Sequence, residues 1–294
     1  MTARAPRVVA AVVTYDRPAA LKSVVHALLQ QTVPLQQILV IDNASPVPAA
    51  EILSGSAVQV VRAAVNTGGA GGFAMALEIA VRENADWIWM MDDDAAPRPS
   101  ALEGLLRAEA CVPSHAAVLC GSVYEFGMLA TTHRRRFDRS IGYSRPIPKS
   151  AYSRGPREID VASFVGFLVR ADAVRRVGVP NPLFFLFCDD TEYSLRLKTA
   201  GWSIWLVPDS LVDHRRLSGK MRASRFGLRH YYDIRNRIYV VRCYARRQLV
   251  ATALATAIGA AIWISTKDSW RRPSSFNLFA RAVRDGVVGQ LGAR

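Results

Sequence analysis

The sequence predicts an α/β fold with a mostly parallel central sheet, followed by a basic helical C-terminal region. Short apolar runs alternate with stretches of helical periodicity over most of the chain, which is the pattern of strands joined by helical crossovers. The chain has 294 residues, of which 50% are hydrophobic, and so it can bury a large core. Its formal net charge of +14 is concentrated near the C-terminus.

The N-terminal half is predicted to alternate strands and helices. The run VVAAVVT (Val8–Thr14) is rich in β-branched residues and is typical of a buried strand. Leu21, Val25 and Leu28 then recur at helical spacing and predict a helix at residues 19–31. The same reasoning predicts strands at 37–42, 58–63 and 86–91, a glycine-led helix ending near 82, a helix at 100–110 and a strand at 116–123.

The pattern breaks down at residues 125–158, which are rich in Arg, Ser, Pro and Gly. A long irregular segment inside a compact domain is usually a functional lid or disordered. Its arginine run at 134–136 either contacts an anionic ligand or lies on a solvated loop. Regular structure is expected to resume with a strand region at 161–169, a helix at 189–200 and two strands, SIWLV and SLVDH.

The last 80 residues carry the whole charge excess, with 17 Lys and Arg against 3 Asp and Glu. Residues 249–265 form an uncharged stretch next to Arg246 and Arg247, at the lower length limit for spanning a bilayer. A helix lying on an anionic membrane surface is favoured, with a true span or a buried helix as alternatives. No nucleic-acid-binding pattern is present. The predicted division is a domain at 1–217 and a helical region at 218–294.

Polar residues follow the first, second and fourth predicted strands. Thr14 and Arg17 follow the first, Asp42 ends the second, and an acidic triplet ends the fourth. Ligands bind at the carboxyl ends of strands in open α/β sheets, so these groups are expected to meet at one site. The alternative for each is a simple turn, because Asp, Asn and Pro favour turns.

The triplet Asp92, Asp93 and Asp94 predicts a divalent cation site. Alternate residues of an extended segment face the same side, so Asp92 and Asp94 can share a metal while Asp93 points elsewhere. Mg²⁺ and Mn²⁺ prefer such oxygen ligands and also accept phosphate oxygens. A buried acidic cluster without a cation would be strongly disfavoured. The alternative is a solvated turn leading into the next helix.

The stretch NTGGAGGF begins at Asn66 and predicts a loop whose backbone approaches an anionic ligand closely. Gly69, Gly71 and Ala74 also match a dinucleotide-binding fingerprint, with Asp92 near its acidic position. That alternative fits less well, because the fingerprint has one acid rather than three and places its glycines directly after a strand.

Two further groups complete the candidate site. Asp189 and Glu192 match a helix capping box, which leaves Asp190 in the first turn, free to accept a proton from an attacking hydroxyl. His214 follows the last predicted strand, where it is either the one nitrogen ligand of an oxygen-rich site or an ordinary polar group.

Together these residues resemble glycosyltransferase family 2, inverting enzymes with the GT-A fold, over residues 8–214, with a shorter similarity in YYDIRNRIYV (231–240). The resemblance implies that Asp190 is the catalytic base and that Asp92, Asp94 and His214 bind Mn²⁺ or Mg²⁺. The donor site that it implies comprises Thr14, Arg17, Asp42, Asn66, Gly69, Asp92 and Asp93. On the acceptor side it suggests Asp189, Trp202 and Arg235.

Within the family, the stretches NTGGAGGF and ADWIWMMDDDAAP look most like bacterial galactofuranosyltransferases that start galactan on a polyprenyl-diphosphate-linked acceptor. This similarity implies a UDP-galactofuranose donor, a lipid-linked glycan acceptor, a role in cell-envelope polysaccharide synthesis, and a peripheral location on the cytoplasmic face of the plasma membrane. LFFLFC precedes the acidic pair where the polymerising enzymes have Trp, so chain elongation is not predicted.

Three other functions stay open at this point. A rhamnosyltransferase that uses dTDP-rhamnose would share most of these residues. An NAD(P)-dependent oxidoreductase would explain the glycine pattern, and a non-catalytic, membrane-bound UDP-binding protein would explain the fold without turnover. Nucleic acid is not expected as a partner.

Overall fold

The computed structural model describes residues 4–215, 227–266 and 273–294. The strands are β1 (Val8–Thr14), β2 (Gln37–Asp42), β3 (Gln59–Arg62), β4 (Trp87–Asp92), β5 (Ala95–Pro97), β6 (Ala116–Glu125), β7 (Met128–Leu129), β8 (Arg134–Asp138), β9 (Tyr143–Pro146), β10 (Arg157–Ile159), β11 (Val161–Ala162), β12 (Phe167–Arg170) and β13 (Ser203–His214). The α-helices are α1 (Pro18–Leu29), α2 (Ala49–Ile52), α3 (Gly68–Arg82), α4 (Ala101–Glu109), α5 (Ala171–Val177), α6 (Asp189–Thr199), α7 (Leu228–Tyr244), α8 (Leu249–Thr266) and α9 (Pro273–Val288). Short 3₁₀ turns lie at Thr131–His133, Lys149–Ser153, Pro182–Phe184 and Arg246–Gln248.

The central sheet has the strand order β10-β13-β6-β12-β4-β1-β2-β3. The strands β3, β2, β1 and β4 are parallel, and β6 is parallel to β13, while β12 runs antiparallel between β4 and β6. Thr14 is in register with Asp42, and Val13 with Asp92. The predicted α/β class is therefore confirmed, and the register brings the ends of the first, second and fourth strands to one edge.

The two faces of β1 explain why all its residues before Thr14 are apolar. Val9 and Ala11 face the hydrophobic cluster formed with α3, whereas Ala10 and Val12 face the cluster formed with α1 and α4. A strand covered by helices on both sides must be apolar at every position. Gly72 lets α3 lie against β1, because a Cβ there would collide with Val13.

Residues 125–158 are structured, so the prediction of an irregular or disordered segment is wrong. They contribute β8 and β9 to a small sheet of order β11-β8-β9. Arg134 anchors this sheet from a fully buried position, where its guanidinium donates to the carbonyls of Gly121 and Val165 at 2.8 and 2.7 Å. Ile147 also packs into the main core.

The two predicted strands at 203–207 and 210–214 are one strand, β13, with an irregularity between Val207 and Leu211. Pro208 cannot donate to a strand ladder, which explains why the pairing shifts there. Gly121 of the neighbouring strand faces this irregularity and has no room for a Cβ beside the carbonyl of Ser210. His214 thus ends a long strand that reaches the same region as the acidic triplet.

The predicted helical C-terminal region is confirmed for the described part of the chain, and the predicted domain boundary at 217/218 lies outside it. Asp285 of α9 is fully buried, and it accepts from Tyr231 of α7 and from Arg294, each at 2.6 Å. The uncharged stretch forms α8. Among the described residues, no helix has the length and apolar character needed to cross a membrane.

Candidate active site

The ends of β1 and β2 are fixed by hydrogen bonds to buried side chains. Asp42 is fully buried and accepts from the backbone of Ser45 at 2.9 Å and of Ala49 at 3.0 Å, and from Arg62 at 2.6 Å. Burial alone would raise the pKa of Asp42, but these bonds outweigh it and lower the pKa. Both carboxylate oxygens are therefore already bonded within the protein.

The side chains of the acidic triplet point in two directions. Asp93 turns toward β1, where it accepts from Thr14 Oγ1 at 2.8 Å and from Arg17 at 3.3 Å. Asp94 accepts from Arg17 at 2.6 Å and lies 3.2 Å from His214 Nε2. Asp92, Asp94 and His214 each offer one ligand atom, and these atoms lie within 4.8 Å of one another.

The electrostatics of this cluster favour a cation. Burial, followed by the charge of Asp94, raises the pKa of Asp92 to about 7. Burial acts against the charged form of Asp94, yet contact with His214 and Arg17 lowers the Asp94 pKa. Burial acts against the charged form of His214, but its contacts with Asp94, Glu125 and Asp92 together outweigh burial and raise the His214 pKa. Two carboxylates and one imidazole suit Mn²⁺ or Mg²⁺, so these residues fit the implied metal.

Glu125 and His133 extend the cluster, and sequence reasoning missed both. Glu125 Oε1 lies 2.9 Å from His214 Nδ1 and 3.0 Å from His133 Nε2. A carboxylate on one ring nitrogen leaves the other nitrogen available as a ligand, which is the usual support for metal-binding histidines. Burial and the charge of Arg134 lower the pKa of His133 to about 4, so its imidazole is neutral. Both residues lie within residues 125–158, the segment predicted to be irregular.

The glycine loop is shaped by Asn43, the residue after β2. Its side chain accepts from the backbone of Thr67 at 2.8 Å and donates to the carbonyl of Gly68 at 2.9 Å. Asn66 accepts from the backbone of Gly68 at 2.8 Å. Gly68 has a φ of +71°, and a Cβ there would collide with the carbonyl of Phe185. No heavy atom lies within 4 Å of a Cβ built on Gly69.

The dinucleotide alternative is not supported by this geometry. A Cβ on Gly71 would collide with the side chain of Thr67, and one on Gly72 with Val13. These glycines therefore serve packing inside the protein and do not line an open ligand surface. In addition, β3 ends at Arg62, well before the glycines.

The acidic pair lies at the start of α6. Asp190 Oδ1 accepts from Thr191 Oγ1 at 2.9 Å, and its Oδ2 lies 3.8 Å from Arg135. Asp189 is buried, and burial together with the charges of Asp190 and Asp92 raises its pKa to about 8. The charge of Asp92 contributes to this rise, so Asp189 and the end of β4 are close enough to interact electrostatically.

The predicted capping box is wrong. Cys188, not Asp189, is the N-cap residue, and no side chain caps this helix. Glu192 instead pairs with Arg196 at 3.0 Å. The reason is the left-handed conformation of Cys188, with a φ of +61°, which starts the helix one residue earlier than a cap at Asp189 requires.

The structure does not bring Trp202 or Arg235 to the acidic cluster. Trp202 packs on the core beyond the C-terminal end of α6, and an 11-residue helix is about 16 Å long. Arg235 is fully buried in α7 and donates to the carbonyls of Phe184 at 3.0 Å and Gly292 at 2.6 Å.

The fold and the cluster together define a GT-A glycosyltransferase, and comparisons with known proteins agree. The model of the family Glycosyl transferase family 2 matches residues 10–178, more than half of the chain. The protein therefore belongs to glycosyltransferase family 2.

Curated relatives carry one name. Galactofuranosyltransferase GlfT1 of Mycolicibacterium smegmatis is 33% identical over 199 residues, which span 66% of this chain and 66% of the relative. GlfT1 of Mycobacterium tuberculosis is 29% identical over 262 residues, 83% of this chain and 85% of the relative.

Solved structures support the fold. GalNAc-T7, crystallised with UDP, GalNAc and Mn²⁺, matches with a TM-score of 0.61 at 16% identity, over 80% of this chain and 47% of that chain. Staphylococcus aureus TarS 1–349 matches with a TM-score of 0.59 at 13% identity, over 96% of this chain and 82% of that chain.

We expect Mn²⁺ to stabilise the protein more strongly as pH rises. An acid whose pKa is raised on folding, such as Asp92 at about 7, favours the folded state at low pH, and this stabilisation is lost as pH rises through that value. Between about pH 6 and about pH 8 the melting temperature without metal should therefore fall, and Mn²⁺ should offset the fall by binding the deprotonated cluster. Differential scanning fluorimetry measures both.

The matched variants for this experiment are Asp94→Asn and His214→Ala, which should abolish the Mn²⁺ effect, and Asp209→Asn, an exposed acid that should leave it unchanged. An equal Mn²⁺ effect in all four proteins would contradict the assigned cluster.

We expect Gly68→Ala and Gly69→Ala to differ in their effect on the stability of the protein. The first places a methyl group against the carbonyl of Phe185 at a positive φ and should lower the free energy of unfolding by roughly 1–3 kcal/mol. The second has open space and lies inside α3, so it should leave stability unchanged or raise it slightly. Urea denaturation measures stability, and calorimetry with UDP and Mn²⁺ measures donor affinity. Loss of UDP affinity in Gly69→Ala at full stability would place the nucleotide against that backbone, whereas unchanged affinity would remove Gly69 from the donor site.

Proposed function

We propose that this protein is a metal-dependent inverting glycosyltransferase that moves galactofuranose from UDP-galactofuranose to a lipid-linked glycan in cell-envelope polysaccharide synthesis. The observation that carries the proposal is the cluster of Asp92, Asp94 and His214, whose ligand atoms lie within 4.8 Å of one another. The acidic pair that opens α6 supplies a candidate base. The family and the GlfT1 relatives support the donor.

The strand ends form the donor side of the proposed site. Asp42 and Asn66 shape the backbone on which the nucleoside rests, and Thr14 holds Asp93 in place. Arg17 lies between Asp93 and Asp94 with 42% of its side chain exposed, so its positive charge is available to the donor diphosphate. Asp92, Asp94 and His214 would hold a divalent cation, which would supply positive charge to stabilise the departing nucleoside diphosphate.

On the acceptor side, Asp190 takes the proton of the attacking hydroxyl. The oxygen of that hydroxyl then bonds to the anomeric carbon as the bond from that carbon to the diphosphate oxygen breaks on the opposite face, which inverts the configuration. Thr191 and Arg135 orient the two oxygens of the Asp190 carboxylate. The proton leaves Asp190 for solvent after the product departs.

The C-terminal helices support a membrane-bound acceptor. Val250, Leu254 and Ile258 recur every four residues along α8, and each side chain is more than half exposed. Arg246 and Arg247, just before α8, are exposed as well. Basic residues near an anionic leaflet each contribute about 1 kcal/mol of attraction. A peripheral position on the anionic cytoplasmic leaflet would bring the site to a polyprenyl-diphosphate-linked glycan.

Purified protein with Mn²⁺ should hydrolyse or transfer from UDP-galactofuranose, and not from dTDP-rhamnose or UDP-glucose. Asp190→Asn should lower turnover by about 10²–10⁴-fold, because the general base is lost, while leaving the affinity for UDP with Mn²⁺ within about twofold. Chromatography of the released nucleotide measures turnover and calorimetry measures affinity.

Asp172→Asn, an exposed acid of α5, is the control and should behave as wild type. Activity with dTDP-rhamnose alone would replace the donor but keep the reaction class. Wild-type turnover in Asp190→Asn would remove the base assignment.

Vesicle binding should depend on both the apolar stripe and the anionic lipid. Leu254→Ser combined with Ile258→Ser should weaken binding to vesicles of phosphatidylcholine and phosphatidylglycerol by about tenfold or more, since each buried aliphatic side chain contributes about 1.5–3 kcal/mol. Leu29→Ser combined with Val47→Ser changes exposed apolar residues elsewhere and is the matched control. Co-sedimentation measures binding, and equal binding by both double variants would contradict a membrane surface on α8.

A further inference from the structure

The four residues before the acidic pair form a loop with an unusual backbone. In this aromatic loop (residues 185–188), Phe185, Phe187 and Cys188 have φ values of +63°, +68° and +61°. None of the three is glycine, and bulky residues adopt this conformation only where their surroundings impose it. Since Cys188 is the N-cap of α6, the loop sets where the helix begins and therefore where Asp190 points.

Asn236 of α7 holds this loop from one side. Its side-chain nitrogen lies 3.0 Å from the carbonyl of Phe184 and 2.8 Å from those of both Leu186 and Phe187. Asn236 is fully buried, and every polar atom of its side chain is bonded. The single amide group of Asn236 thus bonds to three carbonyls of the main chain that leads to Asp190.

Arg235, the preceding residue, fixes the amide itself. Its Nε donates to Asn236 Oδ1 at 2.8 Å, which directs the amide nitrogen toward the loop. Its other nitrogens donate to the carbonyls of Leu183 at 3.2 Å and Gly292 at 2.6 Å. Like Asn236, it is fully buried. The pair therefore ties the loop to the C-terminal helices.

The glycine loop holds the opposite side. The carbonyl of Phe185 accepts from the backbone of Ala70 at 3.3 Å and fills the space that a Cβ on Gly68 would need. The ring of Phe185 packs on Tyr232 of α7, with 4.9 Å between ring centroids. The aromatic loop is thus clamped between the donor-side start of α3 and α7.

We infer that Arg235 and Asn236 are positioning residues that hold the Asp190 carboxylate in its place relative to the donor, so that the C-terminal helices complete the active site. The inference rests on the proposed function of Asp190. Neither side chain touches substrate, and both act through the loop backbone. The consequence is that their loss reduces transfer while the donor site, built on the strand ends, stays intact.

Asn236→Asp is the sharpest test. The aspartate has nearly the same shape and still accepts from Arg235, but it has no N–H to donate to the three carbonyls. With UDP-galactofuranose, Mn²⁺ and octyl glycoside acceptors, kcat should fall by about 10²-fold, the order expected for a misplaced catalytic group. Calorimetry should give an affinity for UDP with Mn²⁺ within about twofold of wild type, because the strand-end site is untouched.

The matched control is Tyr231→Phe, which removes a buried hydrogen bond to Asp285 in the same helices but keeps the ring beside Arg235 and all the bonds from Asn236 to the loop. It should lower the melting temperature and leave kcat unchanged. Hydrogen exchange at the amides of residues 185–190 should rise in Asn236→Asp and not in Tyr231→Phe, which a general loss of stability would not produce.

The outcomes separate this inference from the proposed function. Wild-type kcat and exchange in Asn236→Asp, with Asp190→Asn inactive, would overturn the positioning role alone. A fall in kcat of equal size in Tyr231→Phe would also overturn it, since the effect would then be one of stability. Full activity in Asp190→Asn would overturn the base assignment and the inference with it.

Discussion

The repulsion among three neighbouring carboxylates at the end of β4 governs the arrangement of this site. Each acid of the triplet is compensated in its own way: Asp93 by Thr14 and Arg17, Asp94 by Arg17 and His214, and Asp92 by a raised pKa. Two like charges 4 Å apart repel by about 4 kcal/mol at an effective dielectric constant of 20. The surrounding fold must therefore place positive charge at this edge of the sheet. Strand β13 contributes by placing His214, which is distant in sequence, beside the triplet.

A second constraint comes from the backbone around Asp190. A left-handed conformation costs roughly 1–3 kcal/mol for a non-glycine residue, whereas one hydrogen bond stabilises a protein by a net amount of about 1 kcal/mol. Three such residues in the aromatic loop therefore need several bonds, and α7 and the start of α3 supply them on opposite sides. The aromatic loop consequently depends on two segments that are far apart in sequence, the start of α3 and the C-terminal helices.

The sequence was sufficient for the parts of the fold that rest on local patterns. Val8–Thr14 and Gln37–Asp42 were predicted with the bounds that the structure has, because a short apolar run that ends at a polar residue has few alternatives. The positions of the predicted strand ends also indicated which acids would lie at the same edge of the sheet. The Glu125–His133 pair could not be found, since its role depends on a long-range pairing through His214. The prediction of an irregular segment also failed because of long-range contacts. An arginine run predicts solvent exposure, but Arg134 is buried and its side chain bonds to distant parts of the chain.

The residues before the acidic pair show what the C-terminal helices add. In place of a tryptophan, this chain has LFFLFC, and its aromatic side chains are engaged with α7. Phe185 packs on Tyr232, and the guanidinium of Arg229 lies 5.3 Å from the ring centre of Phe187. Aromatic rings engaged in this way stabilise the loop and are not free to bind a growing glycan. The loop is therefore held in one conformation, and so is the start of α6 that carries Asp190.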